Sequence, residues 1–168
     1  YPVWDWRRVP GVTSRLREGE VPRLRRDSGT ASGFVGGVSD GRVGLAAMDY
    51  QRDGVRARKA WLCLPGGVML ALGAGIRSET DDPIVTTIDQ RPRKGALAYG
   101  TEEQRTEVPV GEEGSADGVQ WVEHDGFAYR IFEGEAHLET TIREGSWRRI
   151  STSRPDDPVR RDVMTLWI

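Results

Sequence analysis

Short apolar runs separated by turn residues organise the chain from Phe34 onward. "GFVGGVSDGRVGLAAMDY" predicts two strands around the turn "SDG", because glycine tolerates the positive φ of a tight turn. "RARKAWLCL" and "GVMLALGAGI" predict a second pair, joined at "PGG". "PIVTTIDQR" is rich in β-branched residues and predicts a further strand.

The second half of the chain continues this pattern. "VQWVEHDGFAYRIF" predicts a hairpin that turns at Asp125-Gly126, with Phe127, Tyr129 and Ile131 on one face. "HLETTIREGSWRRIS" predicts another hairpin around "EGS", and "RRDVMTLWI" predicts a last strand. The acidic, glycine-rich residues 100–118 predict a surface loop or a weak edge hairpin, and residues 1–32 predict irregular structure.

Together these segments give roughly nine or ten strands at spacings of about 8–12 residues, which is typical of an all-β sandwich. We therefore predict an antiparallel β-sandwich in a single domain over residues 1–168, dominated by strands in residues 33–168. No segment carries the caps and period of a helix longer than about three turns.

Net charge, apolar run length and cysteine count exclude several classes of function. The formal net charge of −2 gives no basic face for nucleic acid, and no apolar run is long enough to cross a membrane. Cys63 is the sole cysteine and lies in the apolar run "AWLCLP", which predicts a buried core residue and no disulfide. The chain opens on "YPVWDW" without a methionine, so we expect the interior of a longer polypeptide.

Two sets of residues have the chemistry of a catalytic or metal site. Glu79, Asp81 and Asp82 precede the strand "PIVTTIDQR", but their spacing does not match a calcium loop and favours a turn. His124 and His137 are the two histidines, too few with one cysteine for a zinc site. We expect His124 to be exposed beside its turn, and we predict no metal, no cofactor and no catalytic residue in this segment.

"WDWRR" is the strongest candidate for ligand binding. Trp4 and Trp6 could stack on sugar rings, and Arg7 or Arg8 could pair with a carboxylate. Strand alternation would place both tryptophans on one face and Arg7 opposite them. The alternative is that Trp4 and Trp6 pin an irregular strand to the sandwich. Trp61, Trp121, Trp147 and Trp167 lie in strand patterns and are expected in the core.

Several segments in this order resemble one protein family: "YPVWDWRRVPGVTS", "GFVGGVSDGRVGLAAMDY", "KAWLCL", "LALGAGIRSETDDPIVTTIDQR", "GVQWVEHDGFAYRIF" and "GSWRRIS". They closely resemble the central β-domain of polysaccharide lyase family 8, which includes hyaluronate, chondroitin and xanthan lyases. The resemblance leaves residues 15–32 and 100–118 without clear counterparts. It implies a partial domain of a supersandwich, a fold similar to galactose mutarotase.

The resemblance also implies a function for the parent protein. Family members cleave uronic-acid polysaccharides by β-elimination, and the chain would lie between an N-terminal α/α toroid and a C-terminal β-domain. Their catalytic Asn, His, Tyr and Arg come from the toroid. None of these residues can be placed on this sequence, which contains no Asn and carries Ser151 where the family often has Asn.

We therefore expect the β-sandwich part of a secreted bacterial lyase that acts on an acidic polysaccharide of the hyaluronan, chondroitin or xanthan type. This part would support the toroid, line the cleft and be inactive alone. The alternative is a stand-alone, non-catalytic carbohydrate-binding β-sandwich. A longer parent polypeptide with a toroid pattern would favour the lyase.

Overall fold

The computed structural model describes residues 1–17 and 32–168, and these residues contain thirteen β-strands and one turn of 3-10 helix at Trp147–Arg149. They form two compact units, Tyr1–Val12 with Val85–Ile168 and Thr13–Ile84. The predicted all-β, antiparallel fold is confirmed. In the described part of the chain, no helix is long and apolar enough to cross a membrane. That residues 1–168 form one domain stays a prediction, since two compact units can belong to one domain.

The strands of the smaller unit are β1 Thr13–Arg15, β2 Val35–Ser39, β3 Gly44–Arg52, β4 Val55–Leu64 and β5 Val68–Ser78. The unit is built on a four-stranded antiparallel sheet in the order β2-β3-β4-β5. Its predicted turns are confirmed. The chain turns between β4 and β5 through three residues, Pro65 to Gly67, and Gly66 and Gly67 both take the positive φ that glycine adopts without steric cost.

The strands of the larger unit are β6 Ile84–Pro92, β7 Leu97–Gly100, β8 Arg105–Val108, β9 Gly114–Asp117, β10 Trp121–His124, β11 Phe127–Arg130, β12 His137–Ser146 and β13 Pro158–Trp167. They form two antiparallel sheets in the orders β6-β13-β12-β9 and β11-β10-β7-β8. Side chains from both sheets pack into one buried core around Leu97, Val122, Leu138 and Leu166, so this unit is a sandwich.

The hairpin at Asp125-Gly126 is confirmed, with φ of 47° and 79° at these two residues. Positive φ at both central positions defines the type I′ turn that Asp-Gly favours. Phe127 and Tyr129 lie on one face, with ring centroids 6.5 Å apart. Ile131 follows the end of β11.

The prediction of a hairpin around "EGS" is wrong. Strand β12 continues through Glu144-Gly145-Ser146, because each of these residues pairs with β13, Gly145 with Val159. The chain reverses later, through the 3-10 turn that contains Trp147. This tryptophan is 45% exposed rather than part of the core.

Residues 100–118 are not a plain loop, and the predicted edge hairpin is present only in part. β8 forms an edge hairpin with the preceding strand β7, whereas β9 pairs with β12 in the other sheet. Most of the stretch 15–32, predicted to be a loop, lies outside the described residues.

Two further predictions of burial, beside that of Trp147, are wrong. Cys63 is exposed near the end of β4, on a sheet whose apolar side chains are largely uncovered. His124 is buried, with 3% exposure, because it shares the inward face of β10 with Val122.

Candidate functional site

The aromatic–arginine segment, residues 1–8, is a run of turns rather than a strand. The amide of Trp4 donates to the carbonyl of Tyr1 at 3.1 Å, and that of Arg8 donates to Asp5 at 3.0 Å. The alternation that placed Arg7 opposite the tryptophans is therefore wrong, because residues in turns do not point to alternate faces.

Three aromatic rings of this segment form a cluster. Tyr1 meets Trp4 edge-on, with centroids 4.9 Å apart, and lies nearly parallel to Trp6 at 6.3 Å. The two indoles are 5.8 Å apart. Tyr1 is 64% exposed and Trp6 39% exposed, so the cluster presents aromatic surface to solvent. That surface suits the apolar face of a sugar ring.

Asp5 and Arg7 form a closed pair within the segment. Asp5 Oδ1 accepts hydrogen bonds from the amide and Nε of Arg7 at 3.0 and 2.9 Å, and Asp5 Oδ2 accepts from Nη2 at 3.3 Å. Burial by itself would raise the pKa of Asp5. The hydrogen bonds from Arg7 and the charges of Arg7 and Arg143 outweigh it and hold that pKa below the ordinary value.

Arg8 occupies a different environment. Its guanidinium carbon lies 3.7 Å from the centroid of the Trp167 indole, a distance at which cation and ring attract. Trp167 also stacks against His137, whose Nδ1 lies 2.6 Å from Asp117 Oδ1. Burial lowers the pKa of Arg8 despite the nearby charges of Glu139 and Asp5.

The segment is attached to the face of the larger unit's sheet that points away from the core. Leu138 and Leu166 pair across β12 and β13 and point into the core, so the next pair, His137 and Trp167, lies on the opposite face. Arg8 contacts this face at Trp167. At the other end of the segment, the carbonyl of Pro2 lies so close to Gly145 that a Cβ there would approach it to 1.9 Å.

Gln90 and Arg143 anchor the segment, and neither was predicted from the sequence. Gln90 Nε2 donates to the carbonyls of Asp5 and Arg8 at 3.1 and 2.7 Å, and its Oε1 accepts from the Asp5 amide at 2.8 Å. Arg143 Nη1 donates to the same Oε1 at 2.7 Å. A polar residue inside the apolar run "IVTTIDQ" was the signal that could have identified Gln90.

The acidic residues before β6 serve the structure of the smaller unit. Asp82 Oδ2 lies 3.2 Å from Arg15 Nη1 and 3.6 Å from Arg17 Nε, and Glu79 pairs with Arg56 at 3.2 Å. The interpretation of these residues as a corner before a strand agrees with these contacts. Across residues 1–17 and 32–168, no three His, Cys, Asp or Glu side chains are grouped as metal ligands.

The arrangement can therefore stack a sugar ring on Tyr1 or Trp6 and pair an acidic group with arginine. The four predicted site residues lie in one segment, as the sequence requires, but their environments differ. They are Trp4, Trp6, Arg7 and Arg8. Trp4 and Trp6 belong to the aromatic cluster, Arg7 to the Asp5 pair, and Arg8 to the Trp167 stack. Their role in binding stays a prediction.

Comparison with known proteins identifies relatives along the whole chain. Residues 1–168 match the model of polysaccharide lyase family 8, super-sandwich domain. A chondroitinase-AC from Pedobacter heparinus is 34% identical over 171 residues, which cover 99% of this chain and 24% of the relative. A hyaluronate lyase from Thermasporomyces composti is 29% identical over 184 residues, which cover 100% of this chain and 22% of the relative.

A solved structure of a chondroitinase AC lyase, described with its oligosaccharide complexes, agrees with this result. It superposes with a TM-score of 0.80 at 31% identity, over 99% of this chain and 25% of that structure. This chain therefore spans about a quarter of the length of these proteins. Sequence and structure lead to one conclusion: the chain belongs to polysaccharide lyase family 8 and corresponds to its super-sandwich domain.

Proposed function

We propose that this chain is the super-sandwich part of a lyase that cleaves a uronic-acid polysaccharide of the chondroitin or hyaluronan type. The names of its relatives, a chondroitinase and a hyaluronate lyase, support this substrate class. The reaction is β-elimination: a base takes the proton next to the uronate carboxylate, the bond to the leaving oxygen breaks, and a carbon–carbon double bond forms. The leaving oxygen receives a proton.

Such a reaction needs a positioned base and a group that stabilises the developing negative charge. By resemblance to the family, these groups belong to an N-terminal α/α toroid of the parent polypeptide. The described residues of this chain supply support and one wall of the cleft. A C-terminal β-domain completes the proposed parent.

The observation that carries the glycan contact is the exposed aromatic cluster beside two arginines. Tyr1 and Trp6 offer ring faces to solvent, and Arg8 lies a few residues away on Trp167. Aromatic faces and guanidinium groups together recognise a sugar that carries an acid. The turns of the segment are fixed by buried Gln90, so the contacts are preorganised.

The test is Trp6→Ala in the full-length enzyme, with kcat and KM measured from the ultraviolet absorbance of the unsaturated product. Loss of one stacking face should raise KM by roughly two- to tenfold. Trp147→Ala is the matched control, because Trp147 is similarly exposed, at 45%, but lies outside the segment. Equal kinetic effects in the two variants would contradict the proposed contact.

We also propose that the parent enzyme is secreted by a bacterium, since uronic-acid polysaccharides are polymers found outside cells. The measurement is lyase activity in culture medium and in washed cells. Activity confined to the cell interior would contradict secretion without affecting the assigned reaction.

A further inference from the structure

The two arginines of the aromatic–arginine segment differ in how far their hydrogen-bonding groups are already used. Arg7 directs Nε and Nη2 at the two oxygens of Asp5, and the Asp5 hydrogen bond raises the pKa of Arg7 above its ordinary value. An incoming carboxylate would therefore have to displace Asp5 from the forked edge that binds anions best.

The guanidinium of Arg8 is less committed. Within residues 1–17 and 32–168, its polar contact is a loose ion pair of 4.0 Å between Nε and Asp5 Oδ2, and it donates no side-chain hydrogen bond. Its side chain is 17% exposed. A guanidinium stacked on an indole keeps its N–H groups in the plane of the stack, directed outward. Arg8 is therefore a partly desolvated cation with donors available for an anion.

The position of Arg8 is set through its main chain. Gln90 Nε2 holds the Arg8 carbonyl at 2.7 Å and the Asp5 carbonyl at 3.1 Å. Gln90 is 1% exposed, and its oxygen accepts two hydrogen bonds while its nitrogen donates two. A buried amide with all four sites used has one favourable orientation.

Arg143 fixes which end of the Gln90 amide faces the segment. Arginine can only donate, so the Arg143 Nη1 contact of 2.7 Å requires the oxygen of Gln90 on that side. Arg143 Nη2 reaches Glu139 at 2.9 Å and Thr165 at 3.2 Å. The Gln90 nitrogen is thereby left pointing at the Asp5 and Arg8 carbonyls.

We propose that Arg8 is the cation that pairs with a uronate carboxylate of the bound glycan, and that Gln90, held by Arg143, is a positioning residue for it. This inference rests on the proposed function and goes beyond it, because it assigns different roles to Arg7 and Arg8. Arg7 is retained by Asp5, and Arg8 is presented on Trp167.

The first experiment compares Arg8→Gln with Arg7→Gln in the full-length enzyme. Each change removes a cation and keeps an N–H donor. Arg8→Gln should lower kcat/KM by roughly ten- to hundredfold, because a charge-assisted hydrogen bond is lost, and Arg7→Gln should have the smaller effect. An equal or larger effect of Arg7→Gln would overturn the assignment.

Two substrates identify the acidic group. Chondroitin with and without sulphate esters both contain uronate carboxylates. If Arg8 pairs with the carboxylate, Arg8→Gln should reduce kcat/KM by the same factor on both. A reduction confined to the sulphated substrate would overturn the carboxylate assignment.

The second experiment is a double-mutant cycle between Gln90→Glu and Arg8→Gln. Glutamate keeps the shape and the acceptor for Arg143, but it places an oxygen against the Asp5 and Arg8 carbonyls. Gln90→Glu should raise KM in the wild-type background and add little once Arg8 is replaced. Additive effects would contradict positioning through Arg8 and leave the contact of Arg8 itself standing.

Controls separate these outcomes from a loss of folding. Thr140→Val removes a hydrogen bond of 3.1 Å to the Glu112 carbonyl on the opposite face of β12, so it reports the kinetic effect of a comparable structural defect. If Gln90→Glu does not fold, Arg143→Lys serves instead, since lysine cannot bridge Gln90, Glu139 and Thr165 together. If neither arginine variant nor Trp6→Ala changes KM, the proposed glycan contact fails as a whole.

Discussion

Arg93 illustrates at the residue scale how a charge is stabilised inside the larger unit. Its side chain is fully buried, with Nε 2.7 Å from Asp162 Oδ1 and Nη2 2.7 Å from the Glu112 carbonyl. Arg93→Met would leave the largely buried Asp162 charge without its arginine. Breaking a buried pair costs about 3–5 kcal/mol, whereas Arg105→Met, at an exposed ion pair, should lower stability far less, because exposed charges are well solvated. Urea midpoints of the two variants measure the difference, and similar midpoints would contradict it.

His124 predicts a pH dependence of stability. Burial lowers its pKa below the ordinary value near 6.5, so the folded state holds the ring neutral. Since the unfolded state binds the proton more readily, stability is full above about pH 6.5. It declines as the pH falls from there toward the lower folded pKa. His124→Gln should flatten this decline. Urea unfolding between neutral pH and pH 5 is the measurement, and an unchanged slope in His124→Gln would exclude this source.

The wrong predictions of burial for His124 and Cys63 have a common physical reason. His124 follows a turn signal, but exposure on a strand is decided by which face its register assigns, and His124 shares the face of Val122. Cys63 lies in an apolar run, but among the described residues many apolar side chains of its sheet are exposed. Register and sheet partners are tertiary properties, which local sequence does not contain.

At the scale of elements, Gly145 allows the aromatic–arginine segment to approach β12. A Cβ there would meet the Pro2 carbonyl at 1.9 Å, and main-chain atoms cannot yield as a flexible side chain does. Gly145→Ala should therefore displace the segment and destabilise the fold by about 1–3 kcal/mol. Gly114→Ala in neighbouring β9 is the control, because that site is open to at least 4 Å. Equal unfolding midpoints for the two variants would contradict the close approach.

Most strands follow from local chemistry. β-Branched runs, the Asp-Gly turn and the "PGG" turn correctly predict β4, β5, β6 and the hairpin of β10 and β11. The predictions of strands fail where the pairing strand is distant in the sequence. "EGS" continues as strand because β13 pairs with all of it, and β8 and β9 join different sheets although a few residues separate them.

The candidate site was predictable in composition but not in geometry. Sequence identifies Trp4, Trp6, Arg7 and Arg8 by residue type, and the structure places them in one segment. The anchors Gln90 and Arg143 lie far along the chain from it. Their hydrogen bonds, and the retention of Arg7 by Asp5, depend on the folded arrangement.

At the scale of the whole molecule, the half of the smaller unit's sheet that lies near the turn between β4 and β5 is apolar on both faces. Adjacent rows of its register are Leu45–Leu62–Leu70 and Ala46–Trp61–Ala71, which is the pattern of strands buried on both sides. Yet Val38 is 71% exposed and Met69 is 62% exposed. We therefore expect the isolated chain to self-associate, which sedimentation would measure. A monomer over a wide concentration range would favour an independent module instead.

Cys63 provides a probe of the same surface in the parent polypeptide. Its thiol is exposed here, so alkylation of the isolated, dilute chain should be fast. If further sheets or domains of the parent cover this face, alkylation of native full-length enzyme should be slower. Ser153→Cys in a Cys63→Ser background, at an exposed loop, calibrates the reagent. Equal rates at Cys63 in the two proteins would show that the face stays open.

Lyase activity is also a property of the whole molecule. The isolated chain should produce no unsaturated uronide from chondroitin or hyaluronan, because the proposed base and charge-stabilising groups lie elsewhere in the parent. Product absorbance over time is the measurement, with full-length enzyme as the positive control. Turnover by the isolated chain would mean that catalytic residues lie within it.

The pairing of β6 with β13 has a consequence for the order of events during synthesis. Pro92 pairs with Val163 and Thr87 with Trp167, so β6 leaves the ribosome long before its partner is made. At about 5–20 residues per second, the delay is several seconds, whereas a local hairpin such as β10 with β11 forms in about 1–10 μs. One edge of β6 therefore stays unpaired in the nascent chain until β13 is made. During this interval, aggregation or chaperone binding would compete with folding.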